Sequence, residues 1–258
     1  MLDIVRYTFF QNALLGAFLI SILCGFIGTY IVTRRLVFIS GGITHASFGG
    51  IGLGGYLGTN PIIAAMIFAI LSAFGVQWMS KKVDVRGDSA IALFWTLGMS
   101  IGIICCFLTP GFMPDLPSFL FGSILTIESP DLWLLGALTV IVTILGIFLL
   151  RPIQNVALIA LTIVASLKMV GIVLAISLLT IPQMTANLFT YNYKHMIGLS
   201  IFIGWIDCII GLYASYILNV PSGATIIFIS IIVFIVSKTI KLFYSKFIYN
   251  NLSTSQNQ

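Results

Sequence analysis

"FISGGITHASFGGIGLGGYLG", Phe38 to Gly58, holds eight glycines and one of the two histidines of the chain. Read as a helix, it brings Gly42, Ala46, Gly50, Gly54 and Gly58 onto one stripe at four-residue spacing. Such a small-xxx-small stripe lets a neighbouring helix approach backbone to backbone. Gly41, His45, Gly49 and Gly52 form an adjacent stripe at helical spacing. His45 thus projects from a surface almost bare of side chains, which suits a tight helix contact or the wall of a passage. The expectation is a helix, or a broken helix, with one stripe for packing and another carrying His45 toward a passage. "GGIGLGG" is no dinucleotide fingerprint, because it lies in an apolar span and not after a strand.

The rest of the chain fixes the class. Of 258 residues, 59% are hydrophobic and 7% are charged, where soluble domains carry about a quarter charged residues. So much apolar surface needs lipid to cover it. The expected fold is an all-α, polytopic transmembrane helical bundle, one domain over residues 1–258 with no soluble domain. The start, "MLDIVRYTFFQ", lacks the basic opening and cleavage site of a secretory signal. The first span is expected to target the chain itself. The net charge of +5 sits in short clusters between apolar runs, which is the pattern of membrane topology and not of nucleic-acid binding.

Spans of about 20 apolar residues are predicted at Thr8–Thr33, Pro61–Ser80, Ser89–Thr109, Leu132–Leu150, Met196–Leu218 and Ser222–Leu242. Val37–Gly58 and the long run Val156–Thr190 are irregular, and Leu116–Leu125 is expected to be a half-helix or a surface helix. Lys and Arg should collect on the cytoplasmic side. Arg34 and Arg35 inside, with Lys81, Lys82, Arg86 and Arg151, put the N-terminus outside. If Val156–Thr190 crosses out and back, ten of the twelve basic residues are inside, leaving Arg6 and Lys168. About eight passes are expected, with the N-terminus outside and the C-terminus inside. Val156–Met169 is short for a full crossing at about 1.5 Å per residue. Asp3, Asp115, Glu128 and Asp131 fall on the outer side, and Asp84 and Asp88 inside.

Two residues carry candidate chemistry. A histidine within a span is by default a functional hypothesis, and neutral imidazole suits zinc, copper, iron and nickel. The alternative for His45 is a hydrogen bond across a helix contact. One imidazole does not make a metal site, so its possible partners are Thr44, Ser47, Asp207, Met99 and Cys105. Asp207, in "IGWIDCIIG", is a carboxylate inside an apolar span, with His45 and Lys168 as candidate partners. It is either a cation ligand or half of a buried pair. His195, in an inner loop, is read as a bystander. Cys24, Cys105, Cys106 and Cys208 lie in apolar runs without C-x-x-C spacing and read as buried thiols. There is no H-E-x-x-H, serine-nucleophile motif or Walker A sequence. The chain is read as no enzyme, and any ATPase must be another chain.

Five blocks in order resemble a known family, the membrane permeases of ABC importers for zinc, manganese and iron. They are "CGFIGTYIVTRRLVFISGGITHASFGGIGLGGYLGTNP", "GDSAIALFWTLGMSIGI", "LPSFLFGSILTIESPDLWLL", "KMVGIVLAISLLTIPQMTANLFT" and "LNVPSGATIIF". The resemblance implies a dimerising permease of the bacterial cytoplasmic membrane with eight spans and an outside N-terminus. It implies a separate ATPase subunit, an extracytoplasmic metal-binding protein, and a divalent transition metal ion as cargo, with no bound cofactor. It implies His45 as a metal ligand and Gly41 at the place of the family's carboxylate, with Asp207 and Thr44 as further candidates from this chain. Contact with the ATPase falls to Lys81, Lys82, Arg86, Asp88 and Arg151. The family's cytoplasmic docking segment is shortened here near residues 151–156. Two alternatives follow: a truncated permease that folds without coupling to ATP, and an independent secondary carrier with His45 and Asp207 in its path.

Overall fold

The computed structural model describes residues 6–83, 86–109, 122, 124–148 and 170–255. Among them the chain is helical: α1 (Thr8–Thr33), α2 (Val37–Tyr56), α3 (Pro61–Lys82), α4 (Gly87–Leu108), a 3-10 turn (Ile124–Thr126), α5 (Ser129–Phe148), α6 (Ile172–Leu178), α7 (Ile181–Phe189), α8 (Tyr193–Leu218) and α9 (Ser222–Ser255). Five single helices, and α6 with α7 taken together, are long and apolar enough to cross a membrane, and α5 has a shorter apolar stretch. The polytopic helical bundle is confirmed.

Local chemistry sets the boundaries. Arg34 and Arg35 make the tight turn between α1 and α2, with Arg35 in the left-handed region at φ 58°. Asn60 caps α3 by accepting from Ile62 N, with Pro61 opening the helix. Lys81 and Lys82 end α3, and Asp88 opens α4, each suited to the charge of its helix end. Asn192 caps α8 by accepting from Lys194 N, and Asn219 ends that helix in the left-handed conformation.

Two groups of helices result. α2 packs on α4 and α3, while α8 packs on α1, α9 and α7. The core of Ile20, Leu23, Ile31, Ile43, Phe48, Leu174 and Leu178 joins them. Thr29 near the end of α1 meets Ser200 near the start of α8 at 3.4 Å. Lys241 of α9 donates to Leu188 O at the end of α7. These contacts gather Arg34, Arg35, Lys194 and Lys241 at one end of the bundle. Antiparallel α2 and α3 bring Lys81, Lys82 and Arg86 to the same end. At the other end Asn12 of α1 donates to Ile127 O, beside Glu128 and Asp131. The separation of basic from acidic ends that charge counting predicted is therefore present. The start of α1 and Lys241 lie at opposite ends, which takes an odd number of crossings and corrects the expected eight; residues 149–169, including Arg151 and Lys168, lie outside the described residues. So does most of Leu116–Leu125.

The chain breaks between α6 and α7 in the interior. The Gln183 amide repairs the break, donating to Leu178 O at 3.0 Å and to Cys24 O of α1 at 2.9 Å. Gly28 gives it room, because a Cβ there would stand 2.5 Å from Leu179 O and 2.7 Å from the Gln183 amide. Replacing Gln183 by leucine strips both carbonyls of this donor. We expect a loss of about 1–3 kcal/mol, measured as a lower thermal midpoint in detergent.

Candidate functional site

α2 is a continuous helix over Val37–Tyr56. Its glycines recur at both three- and four-residue spacings, so two of its flanks are smooth. Gly50 and Gly54 face α3, where added Cβ atoms would lie 2.5 Å from Ala64 O and 2.8 Å from Pro61 Cα. Gly49 and Gly52 face α4, where they would lie 2.8 Å from Gly98 O and 2.4 Å from Gly102 O. From the α4 side, a Cβ at Gly98 would lie 2.4 Å from Ala46 Cα, and one at Gly102 would lie 2.7 Å from Phe48 O. Both stripes are therefore packing surfaces. Of the two uses left open for the His45 stripe, the tight helix contact is the one seen at Gly49 and Gly52. Gly58 also leaves its stripe, since it lies past the helix at φ 65° with nothing near it.

Only the start of the His45 stripe lacks such a close backbone neighbour. Gly41 is buried, and among the described residues a Cβ on it would meet just one atom, a Trp95 ring carbon at 4.0 Å. One turn along α2, the His45 imidazole lies flat on the Trp95 indole, with ring centroids 4.2 Å apart and planes 8° apart. Both residues are half-buried. Nδ1 of His45 is buried with no hydrogen-bond partner, and no described residue bonds to either ring nitrogen. The interhelical hydrogen bond that would make His45 a packing residue is thus missing from the described structure. Trp95 was not singled out in the sequence; its spacing of seven residues from Gly102 and three from Gly98 was the available signal.

The other candidates lie elsewhere. Thr44 is fully buried and donates to Ser40 O of its own helix at 2.6 Å. Ser47 likewise donates to Thr44 O. Met99 is one turn beyond Trp95 on α4, and Cys105 lies ten residues beyond it, about 15 Å along the helix. Asp207 is fully buried on α8, among α1, α7 and α9, and the packing does not bring it to His45 on α2. The Ser230 hydroxyl of α9 lies near it without closing a hydrogen bond of normal geometry. Cys24, Cys106 and Cys208 are buried, Cys105 is half-buried, and none of the four is in a disulfide. His195, Lys81, Lys82, Arg86 and Asp88 are exposed at the basic end, and Arg151 lies outside the described residues. No cluster of three or more His, Cys, Asp or Glu able to hold a metal occurs among the described residues.

A sequence model of the ABC 3 transport family matches residues 6–157 and 153–241. The chain belongs to that family. It is 38% identical over 259 residues to the membrane protein slr2045 of Synechocystis, covering 92% of each chain. It is 30% identical over 260 residues to the manganese transport system membrane protein MntC of Listeria monocytogenes, covering 91% of each. Its fold matches a solved structure of PsaBC from Streptococcus pneumoniae in complex with Fab, with a TM-score of 0.80 at 26% identity over 92% of this chain and 93% of that one. The resemblance read from the five sequence blocks is confirmed. As an ABC 3 permease, the chain is a multi-pass inner-membrane transport subunit and not an enzyme; ATP hydrolysis belongs to a separate partner.

Proposed function

We propose that this chain is the permease of an ATP-driven importer that moves a divalent transition metal ion inward by alternating access, with His45 as a ligand on the path. The observation that carries this reading is the His45 imidazole itself. It sits inside a membrane helix, has a buried Nδ1, and makes no hydrogen bond to any described residue. An imidazole buried without a partner is costly unless it meets an ion, a substrate or water. The Listeria relative, named as a manganese transport protein, supports metal as the cargo.

One imidazole leaves most of an ion's ligand positions empty. In this reading they are filled by water and by a second copy of the chain. α3, α4 and α9 leave most of their apolar faces uncovered, which suits lipid and a second copy. The basic end is cytoplasmic, and Lys81, Lys82, Arg86 and Asp88 in the α3–α4 turn offer charges to the ATPase, with Arg151 a further candidate. An extracytoplasmic metal-binding protein delivers the ion at the acidic end. Asp207 and Thr44 are left out of the path, because one faces another helix group and the other bonds to its own helix. That separation also weakens the reading as an independent carrier, which needs His45 and Asp207 together.

A specific observation favours a second reading, a permease uncoupled from ATP. The alignment with slr2045 runs over 259 residues, yet 92% of this 258-residue chain is about 237 residues. The family model matches in two pieces that meet at residues 153–157, which suits a shortened docking segment near residues 151–156. The deciding experiment is co-expression with the ATPase, purification, and ATP-dependent zinc or manganese uptake in vesicles. Uptake supports the importer, and co-purification without uptake supports the uncoupled permease. If the chain never co-purifies with an ATPase, both ABC readings fail.

Gly41 supplies a gain-of-function test. Its Cβ position is open toward Trp95 and lies one turn from His45. Gly41→Asp puts a carboxylate beside the imidazole, and carboxylate oxygens suit manganese better than imidazole alone does. We expect manganese uptake to rise several-fold relative to zinc. An unchanged ratio, with the complex intact, counts against an ion passing between these positions.

A further inference from the structure

We propose that Trp95 is a specificity-determining residue, whose indole closes one side of the coordination space at His45 and so favours ions of low coordination number. The inference rests on the reading of His45 as an ion ligand and adds a selective role for its neighbour.

The argument starts from the packing of α2 on α4. Ile91, Trp95, Gly98 and Gly102 line one face of α4 and meet Gly42, His45, Ala46, Gly49 and Gly52 of α2. At Gly98 and Gly102 the two backbones are in contact, so the register of the helices is fixed to within a fraction of an ångström. Helix register in turn fixes the stack. Trp95 and His45 form the one rung of this ladder built from two large rings, and they lie 8° from parallel.

A metal binds imidazole in the plane of the ring, about 2.0–2.1 Å from a nitrogen. With the rings parallel at 4.2 Å between centroids, such an ion sits about as far from the indole plane as the rings sit from each other. The indole carbons cannot ligate it, and they exclude water from that side. What remains is the space toward Gly41, a buried position where, among the described residues, a Cβ would find only Trp95 itself at 4.0 Å. Zinc needs four ligands in a tetrahedron, while manganese and magnesium favour six, mostly oxygen. An aromatic wall on one side removes positions that the six-coordinate ions need and the four-coordinate ion does not. The indole face also attracts a cation beside it, so the wall costs the favoured ion little.

The test uses the permease with its ATPase partner in vesicles, and measures zinc and manganese uptake side by side. Trp95→Leu keeps most of the packing volume but removes the flat face, and Trp95→Ala removes both. We expect each to lower the zinc-to-manganese ratio about tenfold, the scale of effects from groups that flank a metal ligand. Trp95→Phe, which keeps a ring on His45, should hold the ratio close to that of the parent. A ratio unchanged in Trp95→Leu overturns the proposal even if Trp95→Ala fails to assemble. A second readout separates this failure from failure of the ion reading. With Trp78, Trp133 and Trp205 replaced by phenylalanine, Trp95 is the only indole, and cobalt added alone should quench its fluorescence. Quenching that persists unchanged after His45→Ala removes the ion from His45 and sinks both claims. Quenching lost with His45, alongside an unchanged transport ratio in Trp95→Leu, sinks only the role of Trp95.

Discussion

His45→Ala is expected to cut ATP-dependent zinc uptake by at least about tenfold while leaving the complex with the ATPase intact. The two halves of this expectation come from different parts of the structure. Uptake falls because the imidazole is the one nitrogen ligand proposed on the path, and losing even a supporting group around a metal costs about 10–100-fold. Assembly survives because His45 gives up no hydrogen bond to any described residue. What it loses is the stack on Trp95, worth about 0.5–1.5 kcal/mol in an aromatic pair. The measurement pairs uptake in vesicles with co-purification. Parent-level uptake by an assembled His45→Ala complex makes the histidine a structural residue.

The second large effect concerns Gly98. A Cβ at that position would stand 2.4 Å from Ala46 Cα and 2.6 Å from Ala46 O. These are backbone atoms and cannot swing aside, so α2 and α4 must part. Overpacking commonly costs about 1–3 kcal/mol, and a clash between two backbones belongs at the upper end or beyond. Gly98→Ala should therefore lower the thermal midpoint sharply in detergent, or prevent recovery of folded protein. It should also release the His45–Trp95 stack, seen as a change in Trp95 fluorescence in any protein recovered. Gly136→Ala and Gly198→Ala are the controls. No described residue lies within 4 Å of a Cβ at either position, and alanine favours helix by up to about 1 kcal/mol over glycine. A Gly98→Ala protein as stable as these controls would refute the backbone contact.

Much of this molecule is written in its sequence because a membrane imposes strong local rules. Twenty apolar residues must form a helix if they cross lipid, since no water is available to bond to the backbone. That rule placed α1, α3, α4, α8 and α9 from composition and length, and charge placed their basic ends together. The glycine stretch was also legible as a packing helix, since smooth stripes have one main use between membrane helices. Which stripe meets which neighbour was not legible. Two flanks of α2 are equally smooth, and only the three-dimensional arrangement of α3 and α4 assigns Gly50 and Gly54 to one and Gly49 and Gly52 to the other.

The site divides the same way. The sequence by itself determined that His45 is an imidazole inside a span, that Asp207 is a carboxylate inside another, and that ATP chemistry lies on a different chain. It could not say whether the two meet, because helices far apart in the chain pair according to packing of whole faces. Tertiary structure put Asp207 on α8, which packs on α1, α7 and α9, and put His45 against α4, with no hydrogen bond between the two. It also supplied Trp95. Within α4 only its helical spacing from Gly98 and Gly102 sets that tryptophan apart from the other apolar residues around it, and spacing alone does not name its neighbour. Its place against His45 follows from glycines one and two turns away that let two backbones touch and so fix where every side chain between them must lie.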